Sequence, residues 1–124
     1  MNVELAPEAL RDLVTVSLDD GKAENICVID VSALTTITDY MVIASGRSSR
    51  QVKALTARVV EAARDRGVKP IGIEGETTGE WVLIDFGDVI VHTMQPETRA
   101  FYQLEKLWDQ RPANPDRMEI TWES

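Results

Sequence analysis

Hydrophobic positions along this 124-residue chain change period several times, and each change predicts an element. Between Pro7 and Asp20, Leu10, Leu13, Val14 and Leu18 recur at helical spacing. Pro7 opens that stretch and Gly21 follows its end, so a first helix is predicted there. Asn25 to Val31 is a short apolar run that reads as a buried strand, broken by Asp30, which suits either a strand end or a site. A Ser/Thr-rich connection from Ser32 to Ile37 leads to a second strand, Thr38 to Ser45. Ser45-Gly46-Arg47-Ser48-Ser49 then turns into a helix. Ser48 is its N-cap and Gln51, three residues on, completes a capping-box pattern. Val52, Leu55, Val59, Val60 and Ala63 form the stripe of that helix, and Gly67 closes it. Pro70 to Gly75 reads as a short strand.

The stretch from Gly79 to Trp108 organises the rest. Trp81 to Phe86 and Val89 to Met94 are β-rich runs with Phe86-Gly87 as the turn between them. Pro96 sits where a first helical residue belongs, and Phe101, Leu104 and Trp108 recur at helical spacing behind it. A two-residue loop at Phe86-Gly87 pairs Asp85 with Asp88, Leu83 with Ile90 and Trp81 with His92. Those residues share one face, while Val82, Ile84, Val89 and Val91 make the other pure aliphatic core. The mixed face is expected to be covered by an unusual helix or left open for a partner. The element order is α-β-β-α-β-β-β-α: an α/β single domain, a mixed β-sheet of about five strands with three helices. The domain is placed at residues 1–110, and the Pro-containing stretch 111–124, which has no periodicity, is expected to be a flexible tail.

Charge narrows the choice of partners. The net charge is −8 and the pI about 4.6, so general nucleic-acid binding is disfavoured and association with a basic protein surface is favoured. Arg47, Arg50 and Lys53 nevertheless crowd the N-terminal end of the second helix, where the dipole prefers acids. Pairing with acids such as Glu74 or Glu76 would account for this, and so would an RNA or other anion contact at Arg47, Ser48 and Arg50. One histidine and one cysteine, Cys27, exclude a multi-His or Cys-His zinc site within one chain, and no metal or cofactor is expected. No apolar run approaches a membrane span and no secretory signal is visible, which suits a cytoplasmic protein.

The enzymatic idea to weigh is nucleotidyl transfer, which needs a Gly-Ser turn and carboxylates on a following strand. Ser45-Gly46 to Ser49 supplies a turn. Asp85 and Asp88 are three apart across a turn and cannot both point from one straight strand at a metal. Trp81 reads equally well as core or as a binding anchor on an open sheet face. His92 reads as sheet-face packing rather than a catalyst.

Four motifs in this order carry a resemblance: Ile37-Thr38-Asp39-Tyr40, Ser45 to Arg50, Gly72 to Glu76, and Gly79 to Trp108. Together they resemble the ribosomal silencing factor (Iojap) family from about Leu10 to Trp108. The most specific parts are Asp85 to His92 with Met94-Gln95, and Leu104 to Trp108. The resemblance implies an α/β fold related to nucleotidyltransferases without their catalytic carboxylates, and a non-catalytic translation factor that is often a homodimer. It also implies binding to the large ribosomal subunit through ribosomal protein number fourteen, blocking of subunit joining, and lowered translation when nutrients are short. On that reading, Trp81, Leu83, Asp85, Asp88, His92 and Met94 are expected to form the partner-binding face, an aromatic anchor ringed by acids that steer it toward a basic protein.

Overall fold

The computed structural model describes residues 5–107. Its elements are α1 (Pro7–Asp20), β1 (Glu24–Asp30), β2 (Tyr40–Ser45), α2 (Ser49–Asp65), β3 (Gly72–Glu74), β4 (Trp81–Asp85), β5 (Val89–Met94), α3 (Pro96–Tyr102) and α4 (Leu104–Leu107). The strands form one sheet in the order β1-β2-β5-β4-β3. β2 and β5 run parallel and the other neighbours antiparallel, so the sheet is mixed as the sequence predicts. β2 lies next to the middle of the sheet and is buried at every position.

One face of the sheet carries Val42, Ala44, Val82, Ile84, Val89 and Val91. The stripes of α1 (Leu10, Val14, Leu18) and α2 (Val52, Leu55, Val59, Ala63) close over it. Inside this aliphatic layer Thr56 bonds Thr93 through their hydroxyls at 3.1 Å, which fixes α2 over β5 without leaving a buried hydroxyl unpaired. At the layer's rim the Tyr40 hydroxyl donates to Glu8 at 3.3 Å and the Arg11 guanidinium lies 4.7 Å from the Tyr40 ring centre, docking α1. Burial, and then the Glu8 carboxylate, hold the Tyr40 phenol above its ordinary pKa.

The β4–β5 hairpin corrects the expected register. Trp81 lies opposite Met94, Leu83 opposite His92 and Asp85 opposite Ile90, two residues away from the pairing that a Phe86-Gly87 loop dictates. The Phe86 N–H donates to the Val89 carbonyl at 3.0 Å, so the loop is Gly87-Asp88. The reason is local. Gly87 takes φ +91° and its N–H donates to the Asp85 carboxylate at 2.8 Å, which makes Gly87 the first loop residue and sets the turn one residue later than expected. A slip of two preserves the faces, so Trp81, Leu83, His92 and Met94 still share one. Asp88 is moved off that face into the exposed turn, and it no longer opposes Asp85.

The third helix is also different from its expected form. It is interrupted at Gln103, whose left-handed φ of 50° separates α3 from α4. Phe101 does not join an apolar stripe and is 79% exposed. The inward positions are Arg99 and Tyr102, and the break at Gln103 then brings Leu104 back against the sheet. Trp108 and the expected tail at 111–124 lie outside the described residues.

Candidate functional site

The second face of the sheet is arranged in rows set by strand register. Cys27, Ile43, His92, Leu83 and Glu74 form one row, and Ser45, Met94 and Trp81 form the next. Alternation along β4 and β5 puts these side chains together because every second residue shares a face. Over the Ser45-Met94-Trp81 row lies α3. The Arg99 guanidinium donates to the Ser45 hydroxyl at 2.9 Å and to the Glu105 carboxylate at 3.0 Å, tying β2, α3 and α4 together. Arg99 is almost buried there, so the bond to Glu105 is better shielded from solvent than a surface pair.

From that clamp an aromatic series runs from solvent to core. Phe101 meets Tyr102 edge-on at 4.9 Å, Tyr102 lies 4.9 Å from Trp81, and Trp81 lies 5.8 Å from His92. The Trp81 indole N–H donates to His92 Nδ1 at 2.9 Å, so the imidazole proton sits on Nε2. His92 Nε2 is buried without a hydrogen-bond partner. Burial pushes the imidazole down to about 4, so the ring is neutral near pH 7 and cannot act as a charged contact. Trp81 and Tyr102 keep their outer surface, and Tyr102 is 52% exposed.

The expected partner face therefore divides. Trp81, Leu83 and Asp85 are half-buried and reachable. Met94 is fully buried and His92 is 4% exposed, which contradicts their placement on an open surface; both support Trp81 from below. The Asp85 carboxylate caps its own turn. The Asp88 carbonyl accepts from the Asp39 and Tyr40 N–H groups at 2.9 and 3.0 Å, so the backbone of this turn anchors the start of β2 while its side chain faces solvent. Tyr102 and Phe101 belong beside Trp81. The helical spacing of Phe101 pointed to burial instead, and only the contact with Trp81 reveals the role of Tyr102.

At the start of α2, Ser48 caps as predicted, accepting from the Gln51 N–H at 3.1 Å. The Gln51 side chain accepts from the Arg47 N–H instead of that of Ser48. Arg47 pairs with Glu24 at 2.7 Å, not with Glu74 or Glu76. Ser48 is occupied by its cap, and Arg50 is exposed with no ion pair among the described residues. Among the described residues no group of three or more His, Cys, Asp or Glu side chains is placed to hold a metal ion. No described helix is long and apolar enough to cross a membrane.

A family described as "Ribosomal silencing factor during starvation" matches residues 4–123. The chain belongs to the ribosomal silencing factor family. As a member it is a ribosome-associated translational repressor. The ribosomal silencing factor of Zymomonas mobilis is 47% identical, over 82% of this chain and 77% of its own. A mouse protein named for mitochondrial assembly of the ribosomal large subunit is 36% identical, over 91% of this chain and 51% of its own. The crystal structure of a Chromobacterium violaceum protein superposes with a TM-score of 0.83 at 41% identity, covering 88% of this chain and 92% of that one. The motifs behind the resemblance meet in space. Asp39-Tyr40 receives the hairpin turn, and Gln95 bonds back to Gly79 and Glu80 beside Trp81.

Proposed function

We propose that this silencing factor docks on the large ribosomal subunit through ribosomal protein number fourteen, using the second sheet face, and blocks joining of the small subunit by its bulk. Translation then falls when nutrients are short. The observation that carries the reading is the half-exposed aromatic pair Trp81–Tyr102. It is backed by buried His92 and Met94, extended outward by Phe101, and continued along β4 by Leu83 and Asp85, with Asp88 in the turn beyond. A rigid aromatic held by a hydrogen bond loses little entropy on binding, and the net negative charge of the chain steers it toward a basic protein. Exclusion of a subunit requires affinity and volume, with no reactive group, and this suits a non-enzymatic protein. The proposal extends to a homodimer, for which β1 offers a sheet edge that no other described strand covers, and light scattering of the purified chain tests it.

Nucleotide handling is the competing class, since the family resemblance implies kinship with nucleotidyltransferases. Asp85 bonds its own turn and lies opposite Ile90, with Asp88 turned out to solvent, so the pair does not present a two-carboxylate metal site. Co-sedimentation with separated subunits discriminates. Pelleting with the large subunit alone, followed by failure of that subunit to join the small one, is expected. Pelleting with neither subunit, together with saturable heat on adding magnesium and nucleotide, would overturn the proposal in favour of the enzyme.

A further inference from the structure

The charge of this acidic chain is segregated. Residues 47–69 hold seven of its 13 Lys and Arg residues against two acids, Glu61 and Asp65. That is a net of +5 within a chain of net −8, which leaves −13 for everything else. Most of this stretch is α2. Its buried positions, Val52, Leu55, Val59 and Ala63, face the sheet, so helical geometry sends Arg50, Lys53, Arg58 and Arg64 outward, and all four are exposed. None of the four has an ion pair among the described residues, although Glu61 and Asp65 stand on the same helix. From Arg50 to Arg64 the cations span about 21 Å at 1.5 Å per residue. Arg50 and Lys53 also oppose the helix dipole and repel each other at i, i+3, so this order works against the isolated helix.

We infer that the outer face of α2 is a second contact surface of the docked protein and that it takes an RNA phosphate backbone. The inference rests on the ribosome-docking reading and adds a partner to it. Position supports it. A Cβ added at Gly79 would lie 2.9 Å from Ser49 and 3.0 Å from the Lys53 side chain, so the start of α2 abuts the segment that enters Trp81. The cationic strip therefore begins beside the aromatic site and runs away from it over the other side of the sheet. Chemistry supports phosphate over an acidic protein. The strip is a spaced line of point charges with only the alanines Ala54 and Ala57 exposed between Lys53 and Arg58, and it holds no aromatic or long aliphatic anchor of the kind that a protein interface centres on. A repeating phosphate chain needs no anchor, because each neutralised phosphate releases counter-ions. Arg47, held by Glu24, is not part of the strip.

The test is the salt dependence of binding to purified large subunits, measured from about 50 to 200 mM salt. The wild type is compared with a variant carrying R50Q, K53Q, R58Q and R64Q, with circular dichroism confirming that both are folded. Removing four phosphate contacts is expected to flatten the slope of log affinity against log salt by about 3 and to weaken low-salt binding at least tenfold. W81A, run in parallel, is expected to lose affinity with its slope unchanged. A quadruple variant with the wild-type affinity and slope overturns the inference and leaves the docking reading intact. Lost affinity with an unchanged slope also overturns it, because the strip then meets a protein rather than phosphate. A wild type that does not bind the large subunit removes the docking reading and this inference together.

Discussion

The two faces of the sheet are built from opposite materials. The face under α1 and α2 is a continuous aliphatic layer with Thr56–Thr93 as its bonded polar pair. The other face mixes Ser45, Met94, Trp81, His92, Leu83 and Asp85, and its cover near Trp81 is two short helical segments held by one arginine. A Val or Leu buried on the first face contributes about 1.5–3 kcal/mol through removal from water, without asking for direction. The aromatic and polar groups of the second face are held by specific bonds instead, which fix the orientation of Trp81 and Arg99. Both faces contribute to folding, the second through the smaller buried cluster of Val31, Met41, Ile43 and Met94, and the second is also the one proposed for binding.

The contrast can be broken most forcefully on the first face. Leu55→Ala removes a fully buried side chain from the α2 stripe and is expected to cost about 2–5 kcal/mol, read as a lowered denaturant midpoint. An unchanged midpoint would show that this layer does not carry the fold. The second face has its own stability signature in His92. Its pKa is lowered to about 4 from 6.5 by burial, so the unfolded chain binds a proton between those pH values that the folded chain refuses. The His92 contribution is therefore complete above pH 6.5 and declines by about 3 kcal/mol as the pH falls to 4. His92→Gln keeps an acceptor for the Trp81 indole and is expected to lose less stability than the wild type over the same range. Parallel pH profiles for the two proteins would contradict the assignment. The smallest effect is expected at Ser48→Ala, which removes the α2 cap for about 1 kcal/mol by thermal unfolding and leaves ribosome affinity unaltered.

Much of this was legible in the chain. Pro7 and Gly21 bracket α1, Ser48 caps α2, and the alternation in β4 and β5 assigns the two faces correctly, because these signals depend on local spacing. The hairpin register was not legible, since Phe86-Gly87 and Gly87-Asp88 are both plausible turns and the Asp85-to-Gly87 bond that decides between them is a matter of geometry. The depth of His92 and Met94 could not be read either. An alternating pattern assigns a face but does not say that Arg99 and Tyr102 will bring a helix over it. Arg99 in particular looks like a solvated helical charge until Ser45 and Glu105 are found on either side of it.

The half-exposed aromatic pair of the second face, Trp81 and Tyr102, is the proposed docking anchor. Equilibrium binding of Trp81→Ala and Tyr102→Ala to large subunits, alongside their thermal unfolding, tests it directly. Each truncation is expected to weaken binding by about 2 kcal/mol or more, roughly thirtyfold, with Tyr102→Ala still folding at close to the wild-type temperature. Wild-type affinity in both folded variants would contradict the account and place the docking surface elsewhere on the molecule.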